Sequence, residues 1–306
     1  MFTSLVKPLS DGPIDIVGDV HGEIGALHSL LTHLGYDSEG DHPQGRRLVF
    51  VGDLTDRGPD SPAVVKLVKS LINKGRAQCV LGNHELNILL DLTKHDNHWF
   101  FGRDSPPEGP GPAVLLNTQV ERSAVVDFFR SLPVALERKD LRVVHACWDD
   151  EMIAIVRNAS DVVALHNQFA AEIEARHRND PPGKADPRRL EEQNSNPVKV
   201  LTSGKEQHTD KAFTASGKVR REERVKWWES YARDPFCVFG HYSLYRDERE
   251  TLRNALCVDY AVAKRWEERK QPNFSGQHHG ILAAFRWPER VVVFDNGDQD
   301  QVGGLG

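Results

Sequence analysis

The chain has no pair of cysteines at metal-ribbon spacing. Its four cysteines, Cys79, Cys147, Cys237 and Cys257, lie far apart and form no CxxC. Neither a zinc ribbon nor a disulfide framework is indicated, and three of the four sit in apolar, strand-like runs where a buried thiol behaves as a small hydrophobe. No apolar stretch approaches the roughly 20 residues that a membrane span needs. The N-terminal "MFTSLVKPLSDGP" carries neither a basic leader nor a long apolar segment, so a cytoplasmic protein is expected. Positive charge is not in excess either: 39 Lys and Arg against 45 Asp and Glu give a net charge of -6. That balance argues against a protein built to coat nucleic acid and leaves room only for a local basic patch. Internal repeats and low-complexity tracts are missing as well.

What is present is ordinary soluble composition in 306 residues, 39% of them hydrophobic, with a mean hydropathy of -0.51. One α/β domain over residues 1–306 is expected. The first half alternates strand and helix. "PIDIVG" reads as a strand, and "EIGALHSLLTHLG" places Ile24, Leu27, Leu30, Leu31 and Leu34 on one helical face before Gly35 stops it. "RLVFVG" is the next strand; the helix "DSPAVVKLVKSLINKG" follows, capped by Asp60 or Ser61, with Pro62 in its first turn and Gly75 beyond its end. "AQCVLG" is the third strand. This alternation implies a largely parallel sheet with functional loops at the carboxyl ends of its strands.

Further along, "DSPPEGPGP" (104–112) reads as a loop, "TQVERSAVVDFFRSL" as a helix, "LRVVHAC" as a strand and "ASDVVALHNQFAAEIEARH" as an amphipathic helix. Residues 179–197 are polar and proline-rich and are expected to form a long surface loop or an insertion. "FCVFGHYS", "NALCVDY", "GILAAFRW" and "RVVVFDNG" read as late strands.

The strand ends carry the chemistry. They read "GDVHGE" (Asp19, His21), "GDLTDRGP" (Asp53, Asp56, Arg57), "GNHE" (Asn83, His84), "HAC" (His145) and "GHYS" (His241). In one packed α/β unit these carboxylates, imidazoles and amide converge at one rim, and a glycine before most of them allows a sharp turn toward a shared centre. Asp, His and Asn offer oxygen and nitrogen ligands to hard or borderline divalent cations without any thiolate. Two such cations about 3.5 to 4 Å apart need a carboxylate between them, and Asp53, in the middle of three successive strand ends, suits that place. Asp19 and His21 can reach one metal, and Asn83, His145 and His241 suit the other.

The ordered triple "GDVHG", "GDLTDRG", "GNHE" resembles the signature of the calcineurin-like metallophosphoesterases, in the branch of phosphoprotein phosphatases and diadenosine tetraphosphatases. The resemblance runs from about residue 14 to 296. It implies a fold of two facing mixed β-sheets flanked by helices. It also implies a two-metal site (Mn, Fe, Zn, Mg or Co): Asp19, His21 and Asp53 on one ion, Asp53, Asn83, His145 and His241 on the other. Attack on phosphorus would be in line; His84 would protonate the leaving oxygen, Asp56 would orient His84, and Arg57 would clamp phosphoryl oxygens. The chain departs from the family's pattern at Cys147, Tyr242 and Asp259, where Gly, Thr and a "DTG" are usual.

The expected reaction is hydrolysis of a phosphoester or phosphoanhydride, with dinucleoside polyphosphates such as diadenosine tetraphosphate as substrate. A serine/threonine protein phosphatase is the alternative, and an inactive binding domain is disfavoured by the intact ligand set. Partners are thus phosphorylated small molecules, nucleotides or phosphoproteins, with neither a membrane nor structural nucleic-acid binding expected. The stretch "VRREER" before His241 adds Arg220, Arg221 and Arg224 as candidate substrate contacts, set against a solvated helix face paired to Glu222 and Glu223. Trp227 and Trp228 are expected to pack in the core, Cys147 is expected to be a core residue, and His95, His98, His278 and His279 are expected at the surface.

Overall fold

The computed structural model describes residues 4–94, 97–102, 114–178, 187–215, 218–232, 235–248 and 254–303. The expected loop at 104–112, His95 and the first part of the polar stretch after 178 lie outside them.

Thirteen strands are described, numbered in chain order: β1 Val6–Pro8, β2 Ile14–Val17, β3 Arg47–Phe50, β4 Ala77–Cys79, β5 Ala135–Glu137, β6 Leu141–Val144, β7 Glu206–Ala215, β8 Lys218–Arg224, β9 Phe236–Phe239, β10 Ala255–Cys257, β11 Ala283–Trp287, β12 Val291–Phe294 and β13 Gln299–Gln301. One sheet has the order β13-β12-β11-β2-β3-β4, a second has the order β1-β5-β6-β9-β10, and β7 and β8 form a separate two-stranded ribbon. Strands β2, β3 and β4 pair in parallel, as do β6, β9 and β10. Antiparallel pairs β5·β6 and β2·β11·β12·β13 make both sheets mixed. The largely parallel arrangement expected from the first three strands therefore holds only in part of each sheet.

Alternation along the strands explains the layering. Ile14, Ile16, Val49 and Val51 share one buried cluster with Val143, Val238, Leu256 and Phe285, which come from both sheets. Val17, Leu48 and Phe50 face the other way and pack with Leu27, Leu30, Val64 and Val68 of the first two helices. Successive strand residues point to opposite faces, so the sheets sandwich one core and each carries a helical layer outside.

The helix signals resolve as expected. The first helix, Ile24–Leu34, ends at Gly35 with φ 91°, the left-handed conformation that glycine adopts without penalty. The second, Ser61–Asn73, starts at Asp60, whose carboxylate accepts from the Ala63 amide. Thr118 and Glu121 form a capping box for Gln119–Ser131.

Two expectations are corrected. Within 179–197, residues Pro187–Ser195 form a helix rather than a loop. The buried Gln193 donates to Gly204 O at 2.5 Å, and Asn196, fully buried, caps the following helix Pro197–Ser203. These two polar side chains are thus spent on hydrogen bonds to backbone groups, which composition alone does not reveal. His98, expected at the surface, is buried. Trp227 and Trp228 do pack in the core, against Phe239, and Cys147 is buried with them.

Candidate metal centre and its arginine wall

Parallel pairing brings the carboxyl ends of β2, β3 and β4 to one rim, and the neighbouring sheet adds the ends of β6 and β9. Asp19, His21, Asp53, Asn83, His84 and His241 line one cavity of about 510 Å³. His145, fully buried, sits behind it with Nε2 at 3.3 Å from Asp53 Oδ2.

Two compact donor groups share one residue. His21, Asp53 and His84 form the first and Asp53, His145 and His241 the second, each within 4.8 Å. Asp53 belongs to both. Asp19 joins the first group, 3.8 Å from His21 Nε2. Asn83 joins the second through its Oδ1, 2.8 Å from His241 Nδ1 and 3.2 Å from His145 Nε2.

Backbone carbonyls orient the imidazoles. His21 Nδ1 lies 3.0 Å from Thr55 O, and His145 Nδ1 lies 2.7 Å from Val51 O. A proton on each Nδ1 donates to that carbonyl and leaves Nε2 with its lone pair toward the cavity, the arrangement typical of ligating histidine. Burial holds His21 well below the ordinary histidine range, and burial with the nearby Arg224 does the same for His241. Both are thereby neutral, as ligation requires.

Asp19 and Asp53 are 2% exposed, and among the described residues neither has a lysine or arginine ion-pair partner. Burial, Asp259 and Asp53 all push Asp19 well above the usual carboxylate range. Buried carboxylates of this kind stay charged only beside a compensating cation. A donor set of oxygen and imidazole nitrogen with excess negative charge fits divalent metal.

The close packing of the centre depends on glycine and on strained backbone. A Cβ at Gly82 would lie 2.2 Å from Asp53 Oδ1, and one at Gly240 would lie 2.1 Å from Asp19 Oδ1. His21, Asp53, Asp56, Arg57 and His241 all have φ between 46° and 74°, a left-handed region unusual outside glycine. Such conformations persist where the surroundings over-determine them.

Glu85 is one such surrounding group. Fully buried, it accepts from the amides of Asp53, Leu54 and Gly82 at 2.9, 2.8 and 3.1 Å. It thereby pins the turn that carries Asp53. Trp99 Nε1 donates to Asp56 Oδ1 at 2.6 Å, while Asp56 Oδ2 holds His84 Nδ1 at the same distance. Asp259 accepts from Ser243 N at 2.6 Å and faces Asp19. None of the three has a place in the sequence-based site; Glu85 and Asp259 have a signal in their position at motif ends, whereas Trp99 has none.

The basic stretch is not on the solvated helix face of the alternative reading. Arg220–Arg224 lies on β8, a strand and not a helix. Alternation puts Arg220, Glu222 and Arg224 along the cavity, together with Arg57, and Arg221 is not among its lining residues. Arg224 Nη1 donates to His241 O at 2.9 Å, next to the donor cluster. Arg220 Nε is buried without a hydrogen-bond partner.

The fold and the site together define a protein with a candidate divalent-metal centre at the shared rim of two mixed sheets. Residues 12–274 match the family described as calcineurin-like phosphoesterase, and the chain belongs to that family, whose members use a dinuclear divalent-metal site. The chain is 52% identical over 73 residues to the bis(5'-nucleosyl)-tetraphosphatase PrpE [asymmetrical] of Halalkalibacterium halodurans. It is 44% identical over 73 residues to the protein of the same name from Bacillus subtilis. Each match spans 23% of this chain and only 30% of the relative's length. Among solved structures, a protein serine/threonine phosphatase from Saccharomyces cerevisiae aligns at TM-score 0.53 and 14% identity, covering 99% of this chain and 85% of that one. The cold-active protein-tyrosine phosphatase of a Shewanella species aligns at TM-score 0.53 and 16% identity, covering 99% and 83%. At these identities the likeness establishes the fold.

Proposed function

We propose that this enzyme hydrolyses phosphoanhydride bonds of dinucleoside polyphosphates such as diadenosine tetraphosphate. The observation that carries this reading is the pair Arg220 and Arg224 on the cavity wall beyond Arg57. A polyphosphate bridge spreads negative charge away from the phosphorus under attack, and that charge lowers the barrier only if it finds partners. A compact monoester has little use for a second and third arginine. The name of the partial relatives supports the same substrate class.

Asp19, His21 and Asp53 would hold one divalent cation, and Asp53, Asn83, His145 and His241 the other. Mn, Fe, Zn, Mg and Co all suit this donor set. Such a pair would supply Lewis acidity and lower the pKa of the attacking water. The protein's own groups do the rest. Arg57 orients the reacting phosphoryl group through its planar fork. His84, steadied at Nδ1 by Asp56, keeps Nε2 toward Asp53 and the cavity, from where it delivers a proton to the leaving oxygen. The four cysteines are free thiols, in keeping with action in the reducing cytoplasm.

The test is parallel assay of purified enzyme with added Mn on diadenosine tetraphosphate, a phosphopeptide and a small aryl phosphate. The highest kcat/KM is expected on the dinucleotide. Faster turnover of the phosphopeptide would overturn this reading in favour of a protein phosphatase.

A further inference from the structure

The ribbon β7–β8 presents an ordered face to the cavity. Its directly opposed pairs include Glu206 with Arg224, His208 with Glu222 and, beyond a register shift between His208 and Phe213 that returns Phe213 to the same face, Phe213 with Arg220. Directly opposed residues share one face of an antiparallel pair; accordingly Glu206, Arg224, Glu222, Arg220 and Phe213 all line the cavity. The inner end is fixed by the hydrogen bond from Arg224 to His241 O. Four residues of extended strand, at about 3.3 Å each, place Arg220 and its partner Phe213 about 13 Å farther out.

Phe213 stands out for its exposure. The residue is 40% exposed, one of three exposed large hydrophobics among the described residues, and the only one of them on the cavity. An exposed aromatic ring beside a buried guanidinium nitrogen that makes no hydrogen bond suits a ligand with an anionic chain ending in a flat ring. Bases stack on aromatic faces whatever their identity, and arginine takes the adjoining phosphate through paired N–H donors.

Resting on the polyphosphate reading above, we propose that Phe213 is the platform on which the nucleobase of the substrate stacks. The chain of phosphates then runs outward from the donor cluster, past Arg224 to Arg220, and the nucleoside end lies on the outer part of the ribbon. Phe213 acts in binding and specificity and takes no part in the chemical step.

The experiment compares Phe213→Ala and Phe213→Trp with wild type on three substrates: diadenosine tetraphosphate, inorganic tripolyphosphate and a small aryl phosphate. Phe213→Ala is expected to raise KM for the dinucleotide about tenfold or more, the scale of one lost base–aromatic stack, with kcat nearly unchanged. Tripolyphosphate and aryl phosphate should be turned over within twofold of wild type, and Phe213→Trp should restore the dinucleotide KM. Calorimetric titration with a non-hydrolysable methylene-bridged diadenosine tetraphosphate should show the same loss of affinity. An unchanged dinucleotide KM in Phe213→Ala would overturn the platform while leaving the proposed substrate standing. An equal loss on all three substrates would also overturn it, by making Phe213 structural. Failure of the substrate reading itself would show separately, in wild-type enzyme that prefers the phosphopeptide.

Discussion

Asp56 and His84 are joined by a 2.6 Å contact between Oδ2 and Nδ1, and Trp99 Nε1 holds the other oxygen of the same carboxylate at 2.6 Å. Asp56 is fully buried and His84 nearly so. The imidazole is therefore fixed in rotation, with Nδ1 committed to the carboxylate and Nε2 3.8 Å from Asp53 Oδ2.

That arrangement separates proton delivery from metal binding. His84→Ala should keep its metal content near wild type while slowing hydrolysis by roughly 10²–10⁴-fold, the usual effect of losing a general acid. The deficit should shrink for substrates whose leaving group needs no proton. Asp56→Asn should act in the same direction more mildly. Elemental analysis alongside kinetics on two leaving groups checks both; loss of metal in His84→Ala would make His84 a ligand.

Asp53 belongs to both donor groups, so Asp53→Asn should lower occupancy of both ions and remove nearly all activity. The fold should survive because the residue lies at the rim of the sheet. Bound metal should also stabilise the wild type, by about 2.7 kcal/mol when free metal is 100-fold above its dissociation constant. Chelation should therefore lower the wild-type melting temperature, and the same treatment should barely shift Asp53→Asn. A variant with full metal content and turnover would contradict the shared-carboxylate arrangement.

Strand alternation divides the arginine cluster. Arg220→Ala should lower kcat/KM on diadenosine tetraphosphate by about tenfold, the scale of one charge-assisted hydrogen bond, and spare a small aryl phosphate. Arg221→Ala, one residue along on the same strand, should stay within twofold on both. Equal losses from the two substitutions would mean that the cluster serves folding.

The thiols should be silent. Burial, then Asp149, pushes Cys147 up to about 12, and burial raises Cys79, Cys237 and Cys257 well above the usual thiol range. A raised value keeps the neutral thiol dominant below it, so at pH 8 the reactive thiolate of Cys147 is about one part in ten thousand. Iodoacetamide at pH 8 should leave the native protein unmodified by mass spectrometry and label all four cysteines after unfolding. Rapid alkylation of native Cys147 would mark it as a redox-sensitive group.

The sequence by itself determined which residue types stand at the strand ends. Apolar runs such as Leu48–Val51 read as buried strands, and the charged groups after them collect at the rim; Asp19, His21, Asp53, Asn83, His84, His145 and His241 were legible for that reason. The caps at Asp60 and Gly35 were legible because a cap is a local contact. Tertiary structure decided whatever depends on partners distant in the chain. Trp99 reaches Asp56 across 43 positions, a meeting that no local pattern encodes. Composition suggested a loop at 187–195, yet burial of Gln193 and Asn196 against backbone groups made a helix there. The arginines 220–224 became a cavity wall only because pairing with β7 set their period at two residues. Periodicity and chemistry are written in the chain, whereas the register between segments is fixed only when their buried faces pack.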